Sequence, residues 1–172
     1  MIKIAEKILE VADKDNEKFL RAKTREFDFA GHSKAEIRDL VRRMRTMMKE
    51  ADGVGLSANQ VGLPYRMFVA QVPDGEGHMK FYAIFNPTLA KLSKEMETIE
   101  EGCLSVPETF GPVERHYRLI LEGQNVDGKK MKIKAWGLLA RVFQHEVGHL
   151  DGGLFIDKAK ELHKVEMMPP EH

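Results

Sequence analysis

The 172-residue sequence has little of several features that would mark a specialised class of protein. It contains one cysteine, Cys103, so it cannot form an internal disulfide, and we expect a reducing, cytoplasmic environment. Residues 1–7 lack the apolar run of a signal peptide, and no segment is long enough to span a bilayer. Lysine plus arginine and aspartate plus glutamate both number 27, so the charge balance favours neither nucleic acid nor an anionic membrane as a partner.

Internal repeats and low-complexity segments are also absent, and the composition is that of an ordinary globular protein. A chain of this length can bury a core without disulfides, and we expect a single domain over residues 1–172. We interpret residues 1–32 as an N-terminal extension with one short helix. Residues from about 160 to 172 are predicted to form a frayed tail.

Hydrophobic periodicity predicts a helix near the N-terminus, then several strands, then a second helix. Residues 33–36 read SKAE, a capping box, and apolar residues on one helical face follow it. Gly53 is predicted to end this helix. Strands are predicted at 67–72, 79–85, 117–124 and 130–135, with two short ones within 88–99 and a proline-bounded loop over 100–107.

The last predicted element is a helix from about Gly137 to Leu150. It is apolar around most of its circumference, so it is predicted to be buried, and its only polar stripe contains Arg141, Gln144 and Gly148. The order of elements predicts an α+β fold. Antiparallel or mixed β-sheets would pack around this central buried helix.

The second helix carries QHEVGH at residues 144–149. His145 and His149 are four residues apart, so they share a helical face and can offer imidazole nitrogens to one metal ion. Glu146 lies beside the first histidine, where a carboxylate can accept a proton from water activated by the metal. The pattern therefore predicts two of the three protein ligands that a catalytic metal site needs.

The third ligand can be sought on either side of the motif. A metalloprotease of the HExxH type would take it from downstream, where the acids and the histidine form no matching pattern. Upstream, the thiolate of Cys103 would complete a Cys-His-His site with one open position. Such a site suits Fe²⁺, Zn²⁺, Co²⁺ or Ni²⁺.

Three motifs together resemble those of the peptide deformylase family. They are GVGLSANQ at 53–60, EGCLS at 101–105 and QHEVGH at 144–149, in the order in which that family has them. The flanking segments IFNP at 84–87 and GLLARVF at 137–143 are also similar. The resemblance covers roughly residues 33–158. It implies a metal-dependent hydrolase that removes the N-formyl group from the initiator methionine of new polypeptides and releases formate.

The resemblance also implies a role for each matched residue. Cys103, His145 and His149 would hold one divalent metal, expected to be Fe²⁺, for which Zn²⁺, Ni²⁺ or Co²⁺ can substitute. Glu146 would act as general base and then general acid. The two catalytic groups implied to stabilise the oxyanion are the Gln60 side-chain amide and the Leu104 backbone N–H. Substrate binding is implied for Val54, Gly55, Gly102, Leu138, Arg141 and Val142. The two glycines would lie against the peptide backbone, the three apolar residues would border the methionine pocket, and Arg141 would line its mouth.

The implied partners are N-formylmethionyl peptides and nascent chains at the ribosome, with no specific nucleic acid and no membrane. We expect a monomer. Two alternatives remain open from the sequence. One is an HExxH-type metalloprotease, and the other is a degenerate, non-catalytic homologue with a structural metal.

One departure from the family pattern lies inside the third motif. The family usually has aspartate at the position of Gly148. This position is not a ligand, so we expect metal binding to survive and a structural ion pair to be lost. Arg115 is the candidate partner of that pair, and we expect it to re-pair with a nearby acid such as Glu114. Ser57 and Asn59 also differ from the commonest residues at their positions.

Overall fold

The structure is a computed structural model that describes residues 1–166. Its helices are α1 (Lys14–Leu20), α2 (Lys34–Glu50) and α3 (Gly137–Leu150). Its strands are β1 (Gly55–Ser57), β2 (Met67–Pro73), β3 (Met79–Ala90), β4 (Met96–Cys103), β5 (Val106–His116), β6 (Arg118–Gln124), β7 (Lys130–Trp136) and β8 (His163–Lys164). Short 3₁₀ turns occur at Phe29–Gly31, Ala58–Val61 and Phe155–Asp157.

Within residues 1–166 the strands form two sheets, and neighbouring strands in each sheet are antiparallel. The five-stranded sheet has the order β1-β2-β3-β6-β7, and the three-stranded sheet has the order β4-β5-β8. Helix α3 contacts strands of both sheets. The predicted α+β fold with sheets around a buried helix is therefore confirmed.

Helix α2 begins at the predicted capping box. The Glu36 backbone N–H donates to Ser33 Oγ at 3.2 Å, and the Ser33 N–H donates to Glu36 Oε2 at 2.9 Å. Its buried face packs against β1 and β2 and carries Ile37, Leu40, Met44 and Met48. The helix ends at Glu50, just before the predicted Gly53, and the left-handed residue that follows it is Asp52, with φ of 55°.

Helix α3 has the bounds that were predicted for it. Gly137, with φ of +58°, allows the sharp change of direction from β7 into the helix. The apolar side of α3 packs against the five-stranded sheet, and Phe143 meets Tyr82 edge-to-face with ring centroids 5.5 Å apart. The polar side faces the three-stranded sheet, so both sides of the helix are buried.

Strand β5 was not predicted, and it changes the setting of Cys103. The sequence of β5 contains Pro107, Gly111 and Pro112, which obscure the alternation expected of a strand. Pairing with β5 extends β4 to Cys103, so this cysteine ends a strand beside an irregularity in the pairing rather than lying in a loop. Strand β3 likewise continues past Phe85 through a bulge.

The N-terminal segment is joined to the core rather than lying outside it. The backbone N–H groups of Ala5 and Leu9 donate to the carbonyls of Val61 and Gln60, both at 2.8 Å. The buried apolar side chains of this segment are Ile2, Leu20 and Phe27. The segment therefore supports the 3₁₀ turn that carries Gln60.

The C-terminal segment is also more ordered than predicted as far as it is described. Strand β8 pairs with Thr109 and Phe110 of β5, which fixes the chain to Lys164. The remainder of the predicted tail, 167–172, lies outside the described residues. None of the helices in residues 1–166 has the length and apolar character needed to cross a lipid bilayer.

Candidate metal and catalytic site

The end of β4 and the middle of α3 bring three potential metal ligands together. Cys103 Sγ, His145 and His149 each offer one ligand atom, and these atoms lie within 4.8 Å of one another. Cys103 Sγ is 3.2 Å from His149 Nε2, which is 3.2 Å from His145 Nε2. One thiolate and two imidazoles are the donor set of an open catalytic site. The residues present therefore fit a divalent metal ion.

The electrostatic environment favours the ionised form of Cys103. Burial raises the pKa of the thiol, but the charge of His149 and the hydrogen bonds from both histidines outweigh burial and lower the pKa to about 6. The thiolate is the form that binds metals. Cys103 is therefore prepared for ligation at neutral pH.

The second nitrogen of His145 is held by a buried carboxylate. His145 Nδ1 lies 2.9 Å from Glu101 Oε1, and Glu101 also accepts hydrogen bonds from Arg115 at 2.8 and 2.9 Å. Burial raises the pKa of the Glu101 carboxyl, but the hydrogen bonds from Arg115 and His145 hold it well below its ordinary range. An ionised Glu101 fixes the ring of His145 with Nε2 toward the ligand cluster.

Arg141 joins the same network, so its predicted location is wrong. The Arg141 side chain is buried, and its Nη1 donates to Glu101 Oε2 at 2.7 Å and to the Val113 carbonyl at 2.8 Å. Its Nη2 donates to the Glu97 carbonyl at 2.6 Å. The polar stripe of α3 faces the three-stranded sheet, and this directs Arg141 behind the ligands. It neither lines the mouth of a methionine pocket nor lies on a solvated face.

Arg115 has a buried partner even though position 148 is glycine, but the partner is not the one expected. It pairs with Glu101, whereas Glu114 is half-exposed and lies 4.0 Å from Lys160 Nζ. Strand alternation explains the difference, because neighbouring residues of β5 point to opposite faces of the sheet. A histidine that binds a metal generally donates its other ring N–H to a carboxylate, a backbone carbonyl or water. That preference was the available signal for Glu101, which is the first residue of the EGCLS motif.

His149 has a different environment from His145. Among residues 1–166, its buried Nδ1 has no hydrogen-bond partner. Its backbone carbonyl accepts a hydrogen bond from Asn59 Nδ2 at 2.6 Å. The side chain of Asn59 therefore fixes the position of the last turn of α3 but does not hold the imidazole ring of His149.

Glu146 lies in a narrow buried space between α3 and β1. Its Oε2 accepts a hydrogen bond from Ser57 Oγ at 2.6 Å. A β-carbon added at Gly55 would lie 2.8 Å from Glu146 Cδ and closer still to Oε1. Glycine is therefore required at position 55 to leave room for this carboxylate. The sequence indicates a substrate-facing role for Gly55, whereas its contact with Glu146 is evident only in the structure.

The Gln60 side chain is oriented by hydrogen bonds at both ends of its amide. Its Oε1 accepts from the Ser57 backbone N–H at 2.9 Å. Its Nε2 lies 3.1 Å from Ser105 Oγ and 3.7 Å from Cys103 Sγ. The amide N–H group therefore faces the ligand cluster. Leu104, whose N–H is the second implied donor, follows Cys103 directly and is half-buried.

Of the remaining predicted substrate residues, the two glycines lie on edge strands, Leu138 and Val142 lie on α3, and Val54 precedes β1. Gly55 belongs to β1 and Gly102 to β4, and each of these strands is at the edge of its sheet. Val54 and Leu138 leave 48% and 49% of their surface exposed, whereas Val142 is buried. Free strand edges and exposed apolar side chains are suited to binding an extended peptide.

The chain is similar to peptide deformylases over most of its length. The family model described as polypeptide deformylase matches residues 6–165. A peptide deformylase of Syntrophobacter fumaroxidans is 44% identical over 119 residues, which cover 69% of each chain. The crystal structure of peptide deformylase from Thermotoga maritima aligns with a TM-score of 0.79 and 35% identity, covering 91% of this chain and 99% of that one. A peptide deformylase from Acinetobacter baumannii with Met-Ala-Ser bound aligns with a TM-score of 0.80 and 27% identity, covering 91% and 99%.

Proposed function

The chain belongs to the polypeptide deformylase family, and from this we propose which of its residues carry out deformylation. It is a metal-dependent hydrolase that removes the N-formyl group from N-terminal formylmethionine and releases formate. Neither a metalloprotease nor a non-catalytic homologue is favoured by this membership. The observation that carries the assignment of roles is the cluster of three ligand atoms beside Glu146.

Cys103, His145 and His149 are proposed to hold the metal ion. Their support is the mutual distance of their ligand atoms and the hydrogen bond from His145 to the ionised Glu101. A divalent ion at such a site lowers the pKa of water toward about 7 and so supplies a nucleophile at neutral pH. We propose Fe²⁺ as the ion, for which Zn²⁺, Ni²⁺ or Co²⁺ can substitute.

Glu146 is proposed to move the proton of the reaction. Its Oε2 accepts a hydrogen bond from Ser57, so Oε1 is the atom available to accept the proton of the attacking water. The same carboxyl group then delivers the proton to the nitrogen of the leaving amine, so one residue acts as general base and general acid. The products are formate and a peptide whose N-terminal methionine has a free amine.

Gln60 and Leu104 are proposed to stabilise the oxyanion that forms on the formyl group. The Gln60 amide is fixed by Ser57 with Nε2 toward Cys103, which supports its assignment as a donor. The Leu104 backbone N–H is the second donor. Losing one donor of this kind lowers the rate by a factor on the order of 10²–10³.

The peptide is proposed to lie between the edge strands β1 and β4, as a strand added to the sheet. The tripeptide bound to the A. baumannii relative supports the binding of a peptide here. Val54, Leu138 and Val142 are proposed to surround the methionine side chain, because Leu138 and Val142 lie on α3 and Val54 precedes β1, and two of the three, Val54 and Leu138, are exposed. Gly102 adds no side chain at the edge of β4.

In the cell, we propose that the enzyme acts as a monomer in the cytoplasm on nascent chains at the ribosome. New polypeptides are where a formylated methionine occurs, and a thiolate ligand needs a compartment that keeps cysteine reduced. Sedimentation of the enzyme with ribosomes that carry formylated nascent chains would test the encounter. Light scattering of the metal-loaded enzyme would test the monomer.

The experiment that tests the proposed roles combines turnover with metal analysis after anaerobic purification. The wild-type enzyme loaded with Fe²⁺, Co²⁺ or Ni²⁺ should release a free amine from a formyl-Met peptide. Cys103→Ala should lose the metal and turnover together, because two imidazoles are an incomplete site. A folded Cys103→Ala protein that keeps one metal per chain would contradict the proposed ligand set.

A further inference from the structure

Ser57 holds two of the proposed catalytic groups at once. Its hydroxyl donates to Glu146 Oε2 at 2.6 Å, and its backbone N–H donates to Gln60 Oε1 at 2.9 Å. The side chains of all three residues are buried, with Ser57 fully inaccessible to solvent. No other residue in the described part of the chain hydrogen-bonds to both the proposed base and the proposed oxyanion donor through separate groups.

The Ser57 hydroxyl has two acceptors within reach, and both belong to Glu146. Besides Oε2, the backbone carbonyl of Glu146 lies 3.1 Å from Ser57 Oγ. One hydroxyl hydrogen cannot serve both, and the shorter contact is to the carboxylate. Hydrogen bonds to an ionised oxygen are shorter and stronger than neutral ones. The hydroxyl therefore holds the side chain of Glu146 in preference to its main chain.

The carboxylate is confined on its other side as well. The space that a side chain at position 55 would occupy is filled by Glu146 Oε1 and Cδ, so β1 bounds the carboxylate closely. Rotation of the carboxyl group would break the bond to Ser57 and move Oε1 from its position beside Gly55. The geometry therefore allows Glu146 one orientation, in which Oε2 is fixed and Oε1 is free of hydrogen bonds from described side chains.

We propose that Ser57 is a positioning residue for deformylation, which holds the carboxylate of Glu146 in the orientation that accepts and returns the proton. It acts through Glu146 and does not touch the substrate. This inference rests on the general-base role proposed for Glu146. It assigns a use to a residue that differs from the commonest one at its position in the family.

Ser57→Ala tests the proposal. We expect kcat on a formyl-Met peptide to fall about 10-fold, the loss that corresponds to one hydrogen bond to a charged group. KM should stay within a factor of about two, because the substrate does not contact the hydroxyl. Metal content, measured by mass spectrometry, should remain at the wild-type level. Ser57→Thr keeps the hydroxyl and should recover kcat to within about 3-fold of wild type.

Two further variants separate positioning from packing and stability. Ser57→Cys keeps a heavy atom in place of the hydroxyl oxygen but offers only a weak S–H donor, so its kcat should be as low as that of Ser57→Ala. Ser33→Ala is the matched serine control, because it removes the cap of α2, should lower the melting temperature, and should leave kcat unchanged. If Ser57→Thr fails to fold, comparing kcat of Ser57→Cys and Ser57→Ala with that of the wild type still tests the positioning role of Ser57.

The proposal is overturned if Ser57→Ala or Ser57→Cys keeps wild-type kcat. It is also overturned if a folded, metal-containing Ser57→Thr is as slow as Ser57→Ala, or if kcat falls only in proportion to lost metal. Wild-type turnover and its loss in Glu146→Ala test the proposed function separately. If the wild type turns over and Glu146→Ala does not, an unchanged kcat in the Ser57 variants contradicts only the role of Ser57 and not the proposed function.

Discussion

The two histidines proposed as metal ligands lie one turn apart on the same helix, yet the protein supports them in different ways. The second ring nitrogen of His145, Nδ1, is hydrogen-bonded to Glu101, which forms ion pairs with Arg115 and Arg141. His149 has a buried second nitrogen with no partner among residues 1–166, and only its backbone is held, by Asn59. A partner on the second nitrogen fixes the ring and raises its basicity. His145 is therefore the oriented ligand, and His149 is oriented mainly by the helix itself.

The largest effect is expected where that support is removed. Glu101→Ala leaves His145 without its partner and two buried guanidinium groups without their carboxylate. We expect the free energy of unfolding to fall by about 3–5 kcal/mol, because uncompensated buried charges remain. Metal affinity should fall by about 10- to 100-fold. Denaturant unfolding and competition with a chelator measure the two quantities.

Glu114→Ala is the matched control for that change, because Glu114 is half-exposed on the neighbouring strand and its nearest cation is at 4.0 Å. It should change stability by less than about 0.5 kcal/mol and leave metal affinity unaltered. Wild-type metal affinity in a folded Glu101→Ala protein would show that His145 needs no such partner.

A smaller effect is expected at the other histidine. Asn59→Ala removes the hydrogen bond to the His149 carbonyl, but it also removes a buried Oδ1 that has no partner in the described residues. The two consequences oppose each other, so we expect a loss of stability of about 1 kcal/mol. Metal affinity, measured by competition with a chelator, should change by less than about tenfold. A larger loss than in Glu101→Ala would reverse the order of support inferred for the two ligands.

Asn125→Ala provides the corresponding control. Asn125 Oδ1 accepts two backbone N–H groups in the turn between β6 and β7, far along the chain from either histidine. Its loss should reduce stability by a similar amount without any change in metal affinity. The pair of asparagines therefore separates a general loss of stability from an effect on His149.

The smallest effect is expected at Gly148, next to His149. A β-carbon there would meet nothing within 4 Å, and the position is helical. Gly148→Ala should therefore raise the free energy of unfolding by about 1 kcal/mol with unchanged metal content, as measured by urea unfolding. Gly55→Ala is the contrasting glycine variant, since its methyl group would displace Glu146 and should lower turnover. A lower free energy of unfolding for Gly148→Ala would contradict the inference that position 148 is an ordinary helical position with space for a methyl group.

The sequence was sufficient for the parts of the site that depend on local spacing. His145 and His149 share a face because they are four residues apart, and the bounds of α3 follow from its apolar periodicity. Cys103 and Gln60 were reached through their motifs. The capping box likewise marked the start of α2, because its two residues are close along the chain.

Contacts between distant segments were beyond that reasoning. Arg141 was placed at a pocket mouth because the sequence does not say which sheet faces the polar stripe of α3. The partner of Arg115 depends on the register of β4 and β5, in which Glu101 and Arg115 share a face. Ser57 approaches Glu146 only because β1 packs against α3. Each of these contacts is set by tertiary packing, and no local pattern carries it.

The most direct test of the catalytic assignment is the turnover of Glu146→Ala with its metal content measured in the same preparation. We expect one metal ion per chain, as in wild type, because Glu146 is not among the proposed ligands. Release of the free amine from a formyl-Met peptide should fall by roughly 10²- to 10⁴-fold, because the proton acceptor is gone. Appreciable turnover by a fully metallated Glu146→Ala enzyme would contradict the acid–base role of this residue.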